Sequence, residues 1–238
     1  MHSYAAGGFA IRYILVYLAK INPGKLVSAE NILALLGAYA IGSIPSAVWV
    51  GKAFYKIDVR EYGSGNAGAT NTFRVLGKKA GIPVLLMDIL KGFLALQLVE
   101  LIGDYLPGTQ QYVNFKLALG IAALLGHIFP VFAGFRGGKG VATLLGILIG
   151  VQPVAALICL GIFLLLFLGS GYVSLGSMGA AISYPFIIML VLNETIPTVN
   201  IFAMAVAILV LITHQKNIER LLKGTESKIL LFRKNTSP

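Results

Sequence analysis

"VATLLGILIGVQPVAALICLGIFLLLFL", residues 141–168, runs for 28 residues without one charged side chain. As a single helix it would measure roughly 42 Å, against a bilayer hydrocarbon core of about 30 Å. Pro153 lacks the N–H a helix interior needs, and its ring clashes with the preceding turn. The stretch is therefore expected to fold as a hairpin of one short and one full helix, broken at Val151-Gln152-Pro153. That reading decides the fold, because it sets the side of the membrane to which everything downstream returns.

Working outward, further apolar runs occupy 31–53, 80–102, 112–131, 177–192 and 199–213. Each approaches the roughly 20 residues that a spanning helix requires. The chain of 238 residues is 57% hydrophobic and 12% charged, about half the charge of an ordinary soluble domain. Its mean hydropathy is +0.85. The expected fold is all-α: a polytopic integral membrane protein with a seven-helix transmembrane bundle and active-site loops on the cytoplasmic side. The single cysteine, Cys159, lies in an apolar run and reads as a small hydrophobe.

Sidedness follows from the connections. Lys52, Lys56, Arg60, Arg74, Lys78 and Lys79 separate the first two runs, and Arg136 and Lys139 fill the next same-side loop. Lys216, Arg220, Lys223, Lys228, Arg233 and Lys234 occupy the tail. The opposite turns hold Asp104 and Glu194 without Lys or Arg. Positive loops stay cytoplasmic, so the C-terminus is expected inside. The net charge of +10 then suits anionic headgroups and phosphates rather than nucleic acid. Residues 1–30 read as an N-terminal extension forming an interfacial helix, with a further span or an early start site as alternatives. Residues 31–213 form the transmembrane unit, and 214–238 a cytoplasmic tail.

Three polar clusters fall on that one face. The first, "GSGNAGATNTFRVLG" (residues 63–77), matches GxGxxG, but no βαβ unit surrounds it and Asp88 lies inside an apolar span. What remains is glycine backbone able to approach an anion, the neutral donors Ser64, Asn66, Thr70 and Asn71, and the forked cation of Arg74. The plain structural alternative is a Gly-rich turn with a solvated arginine. The second, "GHIFPVFAGFRGGKGVAT" (residues 126–143), is no Walker A motif, because Gly140 stands where the Ser/Thr would be. Arg136, Gly137, Gly138, Lys139 and Gly140 nonetheless lead into a helix that includes Thr143, a suitable anion cradle. His127 reads equally as a general base, a phosphate ligand or a satisfied interface residue. The third is split between "GYVSLGS" (residues 171–177), with Ser174 and Ser177, and "HQKNIERLLKGTESK" (residues 214–228). In the latter, His214, Asn217 and Leu221 share the face of an amphipathic helix. Asp88 and Lys91, three apart, read first as a self-neutralising structural lock. No metal-ligand spacing and no His-x4-Asp acyltransferase motif is present, and no metal or cofactor is expected.

"GSIPSA" at 42–47, "GSGNAGATN" with Arg74, "GHIFPVFAGFRGGKGVAT", "YVSLGS" and "HQKNIERLLKGTESK" together resemble the bacterial acyl-phosphate:glycerol-3-phosphate acyltransferases over residues 31–228. The resemblance implies a seven-helix inner-membrane enzyme that moves an acyl chain from acyl phosphate to the 1-hydroxyl of sn-glycerol 3-phosphate. The products are lysophosphatidic acid and phosphate. It implies substrate and phosphate contacts from Ser64, Thr70, Asn71, Arg74, Lys139, Ser177, His214 and Asn217, with His127 in the second motif. Ser64, Thr70, Arg74 and Ser177 are expected at the acyl phosphate, and Lys139, His214 and Asn217 at glycerol phosphate. Beyond these substrates and membrane lipid, no obligate protein partner is evident. Gln215 and Ser46 depart from the family pattern, and residues 1–30 have no counterpart in it. The rival class is a transporter for a small organic phosphate, but such sites usually lie at the midplane between repeated halves. No internal repeat is visible here.

Overall fold

The structure, a computed structural model, describes residues 28–102 and 105–229, so most of the N-terminal extension and the end of the tail lie outside the described residues. Among the described residues every regular element is helical. Helix α1 spans Ala29–Gly42 and α2 Ser46–Val50, α2 running on as a π-turn over Gly51–Tyr55. Next come α3 (Ala69–Leu76), α4 (Lys78–Leu96) and α5 (Gln110–Ile128). The hairpin is α6 (Val141–Val151) and α7 (Pro153–Ser170). Helices α8 (Val173–Phe186), α9 (Pro197–Thr213) and α10 (Gln215–Leu222) complete the chain.

Every apolar run of the sequence contains a helix. Among the described residues, four helical stretches are long and apolar enough to cross a membrane alone, or up to six if the two bent pairs α1–α2 and α9–α10 each count as one, and α6 is a shorter apolar helix. The first run is not the single helix expected over 31–53. It bends by 43° between α1 and α2, where Pro45 interrupts the backbone ladder. The second bend, 60°, turns the amphipathic α10 away from α9 at His214.

Residues 141–168 form the expected hairpin, with Gln152 (φ −140°, ψ 75°) as the break and Pro153 opening α7, where its missing N–H is harmless. The two ends of the segment come back together. Lys139, just before α6, donates to Asn217 Oδ1. Asn217 Nδ2 reaches Glu226 Oε1 at 2.6 Å, and Ser174 Oγ, at the start of α8, donates to the same oxygen at 2.8 Å. A straight span of some 30 residues would have held these groups roughly 45 Å apart.

The bundle closes through backbone contacts at glycines, because packing rather than hydrophobic exclusion binds helices within lipid. A methyl group on Gly146 of α6 would lie 1.9 Å from the Ile89 carbonyl oxygen of α4. One on Gly42 of α1 would lie 2.0 Å from the Ala123 oxygen of α5. Helix α6 thus nests on α4, and α1 on α5; α7 packs on α8 and α8 on α9.

Candidate active site

The first cluster is shaped by Asn71. Ser64 donates to Asn71 Oδ1 through its backbone N–H at 2.8 Å and its hydroxyl at 3.1 Å. Asn71 Nδ2 donates to the carbonyls of Val59 and Tyr62 at 2.8 and 3.1 Å. The buried amide therefore uses both ends to fold the glycine loop back over α3. That leaves Thr70 half-buried and Arg74, one turn later, exposed beside the cavity described below. Arg60 joins this cluster to the second: its guanidinium pairs with Asp58 at 2.7 and 2.9 Å and donates to the Ala133 carbonyl at 2.7 Å. Arg60 holds the Asp58 carboxyl well below the usual carboxylate range.

In the second cluster the loop after α5 folds back on its own helix. Gly137 and Gly138 donate their N–H groups to the carbonyls of Ile128 and His127, both at 3.2 Å. Those amides are therefore taken up within the loop. A methyl on Gly138 would lie 2.3 Å from His127 Nε2, so glycine is needed there for the imidazole to fit. The Arg136 side chain is exposed and lies outside the cavity wall. Thr143 is fully buried, with Oγ1 at 3.1 Å from His127 Nδ1, and lies behind that ring rather than at the wall. Gly140 (φ +85°) turns the chain into α6 and leaves Lys139 half-buried.

The third cluster meets the second at Lys139. Burial pushes its ammonium down to about 8, helped by Arg220 and Arg74 and opposed by Glu226. His214, at the bend between α9 and α10, is buried, with Nδ1 at 2.8 Å from the Val210 carbonyl. A carbonyl only accepts, so Nδ1 carries the proton in the neutral ring and Nε2 presents a lone pair. Burial first, then Lys139, lowers His214 to about 4. Ser177 donates back to the Val173 carbonyl at 2.9 Å. Glu226 ties the tail down by accepting from Ser174, Asn217 and Arg220.

These groups line one cavity of about 510 Å³. Ser64, Asn66, Thr70, Asn71, Arg74, His127, Lys139, Gly140, Ser177, His214 and Asn217 border it. Arg136, Gly137, Gly138 and Thr143 do not. Below the polar mouth four helices contribute stripes at helical spacing: Leu144 and Leu148 from α6, Phe167, Phe163 and Leu160 from α7, Ala181 and Tyr184 from α8, Val210 and Val206 from α9. The apolar wall is longest on α7, where Leu160 to Phe167 extend roughly 10 Å along the helix at 1.5 Å per residue. Ser174, offered by the sequence beside Ser177, also lines the wall, together with two polar residues to which the sequence reading gives no site role, Asp88 and Glu226. The lone acid in "KGTESK" was a visible signal for Glu226. Asp88 was set aside as paired, which it is, with Lys91 Nζ at 2.7 Å.

Comparison with known proteins adds the following. The family model described as glycerol-3-phosphate acyltransferase matches residues 32–224. The glycerol-3-phosphate acyltransferase of Enterococcus faecalis is 46% identical over 205 residues, 83% of this chain and 91% of its own. That of Chlorobaculum tepidum is 44% identical over 225 residues, 83% of this chain and 96% of its own. Crystal structures of PlsY (YgiH), an integral membrane glycerol 3-phosphate acyltransferase, are similar in its glycerol 3-phosphate form and its lysophosphatidic acid form. The first superposes with TM-score 0.75 at 36% identity, covering 85% of this chain and 99% of that one. The second gives TM-score 0.72 at 36% identity, covering 84% and 95%.

Proposed function

The chain belongs to the glycerol-3-phosphate acyltransferase family, and from that premise we propose how its cavity performs the reaction. The protein is an integral membrane acyltransferase that acylates glycerol 3-phosphate to lysophosphatidic acid. The acyl donor is acyl phosphate and the acylated group the 1-hydroxyl. One observation carries this reading: two separate sets of phosphate-seeking groups meet at the mouth of a single apolar channel. A thioester has no phosphate bonded to its acyl carbon, so it would leave one of the two sets unused at the reacting centre.

Arg74, with Ser64, Thr70 and Ser177, holds the phosphate of the donor, whose tail runs down between α6, α7, α8 and α9. Lys139, His214 and Asn217 hold the phosphate of the acceptor. Asn71, Thr143 and the Gly137–Gly138 turn position these groups from behind; Asn66 and Gly140 complete the wall. The 1-hydroxyl oxygen attacks the acyl carbon, a new ester C–O bond forms, and the bond from that carbon to the phosphate oxygen breaks. The proton of the hydroxyl leaves with the released phosphate. The mixed anhydride is already activated, so positioning and neutralisation of two phosphates supply the main acceleration. The lone pair on His214 Nε2 and the His127 ring are the protein groups placed to relay that proton. The positively charged loops and the tail face the cytoplasm of a bacterial inner membrane, as the charge bias of the connections supports.

The test is purified protein with palmitoyl phosphate and glycerol 3-phosphate, following phosphate and lysophosphatidate together. Equal release of both is expected. Product from palmitoyl-CoA alone would overturn the donor assignment.

A further inference from the structure

Glu226 puts a carboxylate in the wall of the cavity, where Lys139 and Asn217 gather. A negative charge there opposes an anionic substrate, so its presence calls for a service to the groups beside it. The tail has other anchors: Ile229 N–H donates to the Gly171 carbonyl at 2.9 Å, and Lys228 Nζ lies 5.0 Å from the centroid of the Tyr172 ring. Both Glu226 oxygens are committed. Oε1 accepts from Asn217 Nδ2 at 2.6 Å and from Ser174 Oγ at 2.8 Å, and Oε2 from Arg220 Nε at 2.6 Å. The side chain is 5% exposed. Burial would raise its pKa, but Arg220, Asn217 and Ser174 together lower it, so the group is ionised and only accepts.

We propose that Glu226 is a positioning residue for the acceptor phosphate: it turns the Asn217 amide so that its oxygen faces Lys139, and so sets both groups toward the cavity. This rests on the acceptor reading given above. Lys139 donates to Asn217 Oδ1, and an ammonium only donates. Asn217 Nδ2 also only donates, and the Glu226 carboxylate takes one of its hydrogens. The amide is thus pinned at both ends. Its second hydrogen and the remaining hydrogens of Lys139 are left for a phosphate. Without the carboxylate a flipped Asn217 would set a donor against a donor. Ser174 holds Glu226 from α8 and Arg220 holds it from α10, so three elements fix one pair of phosphate-binding groups. Charge acts beside geometry. Lys139 is faced by Glu226 from the tail, Arg220 from α10, Arg74 from α3 and the neutral His214 at the bend before α10. Glu226 favours its protonated form, and Arg220 and Arg74 oppose it.

The experiment measures each KM, and kcat/KM against pH, with palmitoyl phosphate and glycerol 3-phosphate in wild-type protein, Glu226→Gln and Arg220→Gln. Glu226→Gln is expected to raise KM for glycerol 3-phosphate about tenfold, as for one lost hydrogen bond to a charged group. KM for palmitoyl phosphate and kcat should stay within about threefold. Removing a negative charge beside the ammonium disfavours its protonated form. The fall of kcat/KM as Lys139 loses its proton, near pH 8, should therefore move down by about half a pH unit or more. Arg220→Gln removes a positive charge and should move it up. A mere tether would move it in neither variant. If Glu226→Gln does not fold, the upward move in Arg220→Gln carries the test. An unchanged KM for glycerol 3-phosphate in folded Glu226→Gln, or a break that stays in place or moves the same way in both variants, overturns the proposal. A rise in KM for palmitoyl phosphate instead overturns it together with the assignment of the two phosphates. In each case lysophosphatidate from the wild-type protein leaves the acyltransferase reading standing; none at all removes both.

Discussion

Lys139 holds its ammonium in a half-buried setting that lowers its pKa to about 8. The cation binds an anionic acceptor only while protonated, so binding is favoured below that value and lost above it. We expect kcat/KM for glycerol 3-phosphate to fall as pH rises through about 8, approaching tenfold per unit, because this ratio reports the free enzyme. The turnover number should be flatter, since bound phosphate keeps the proton on the lysine. In Lys139→Arg the break should vanish below pH 10; its persistence near 8 would assign the titration elsewhere. Arg74 tests geometry instead of charge. Arg74→Lys keeps the cation and loses the planar fork, so kcat/KM should drop roughly a hundredfold while thermal melting in detergent stays within a few degrees. Near-normal turnover in that variant would remove Arg74 from the donor site.

At the scale of elements, α4 and α6 approach so closely at Gly146 that an added methyl would meet the Ile89 carbonyl at 1.9 Å. Backbone cannot move aside as a flexible side chain can. Gly146→Ala should therefore destabilise by about 1–3 kcal/mol through overpacking, read as a lowered melting midpoint. It should also lower activity, because α6 begins at the loop that carries Lys139 and its Thr143 braces His127. A variant as stable as the parent would mean that the two helices separate readily. The glycines of α6 were legible only as a composition in the sequence. Which of them meets a neighbouring backbone depends on helix pairing between Ile89 and Gly146, 57 residues apart, and no local pattern encodes that.

At the scale of the whole molecule, three clusters distant in sequence share one cavity because the hairpin of α6 and α7 returns the chain to its starting face. Sidedness can be tested directly. A Cys159→Ser background with Lys223→Cys places one thiol just after α10, where Lys223 is exposed. A membrane-impermeant maleimide should label it in inverted vesicles and leave intact right-side-out vesicles unlabelled. Labelling only from the outside would reverse the orientation. Tethering of the tail by Glu226 to Ser174, Asn217 and Arg220 makes the amphipathic last motif part of the bundle.

The sequence by itself determined the helical, membrane-embedded class, the break at Pro153, the clustering of phosphate-binding residue types and, through its motifs, the family. Those properties are local: span length, hydropathy, a missing amide hydrogen and charge bias are written into consecutive residues. Only the tertiary structure decided which of the clustered residues reach the cavity. Gly137, Gly138 and Thr143 lie within the motifs but outside the cavity wall, and their polar groups fold the loop and brace His127, while Asn71 borders the cavity with its amide spent on the glycine loop. Asp88 looked neutralised by Lys91 three residues on, and the fold alone shows one carboxylate oxygen taken and the other left unpartnered. A hydrogen bond is directional and satisfied atom by atom, so its use depends on which groups of distant helices stand within 3 Å.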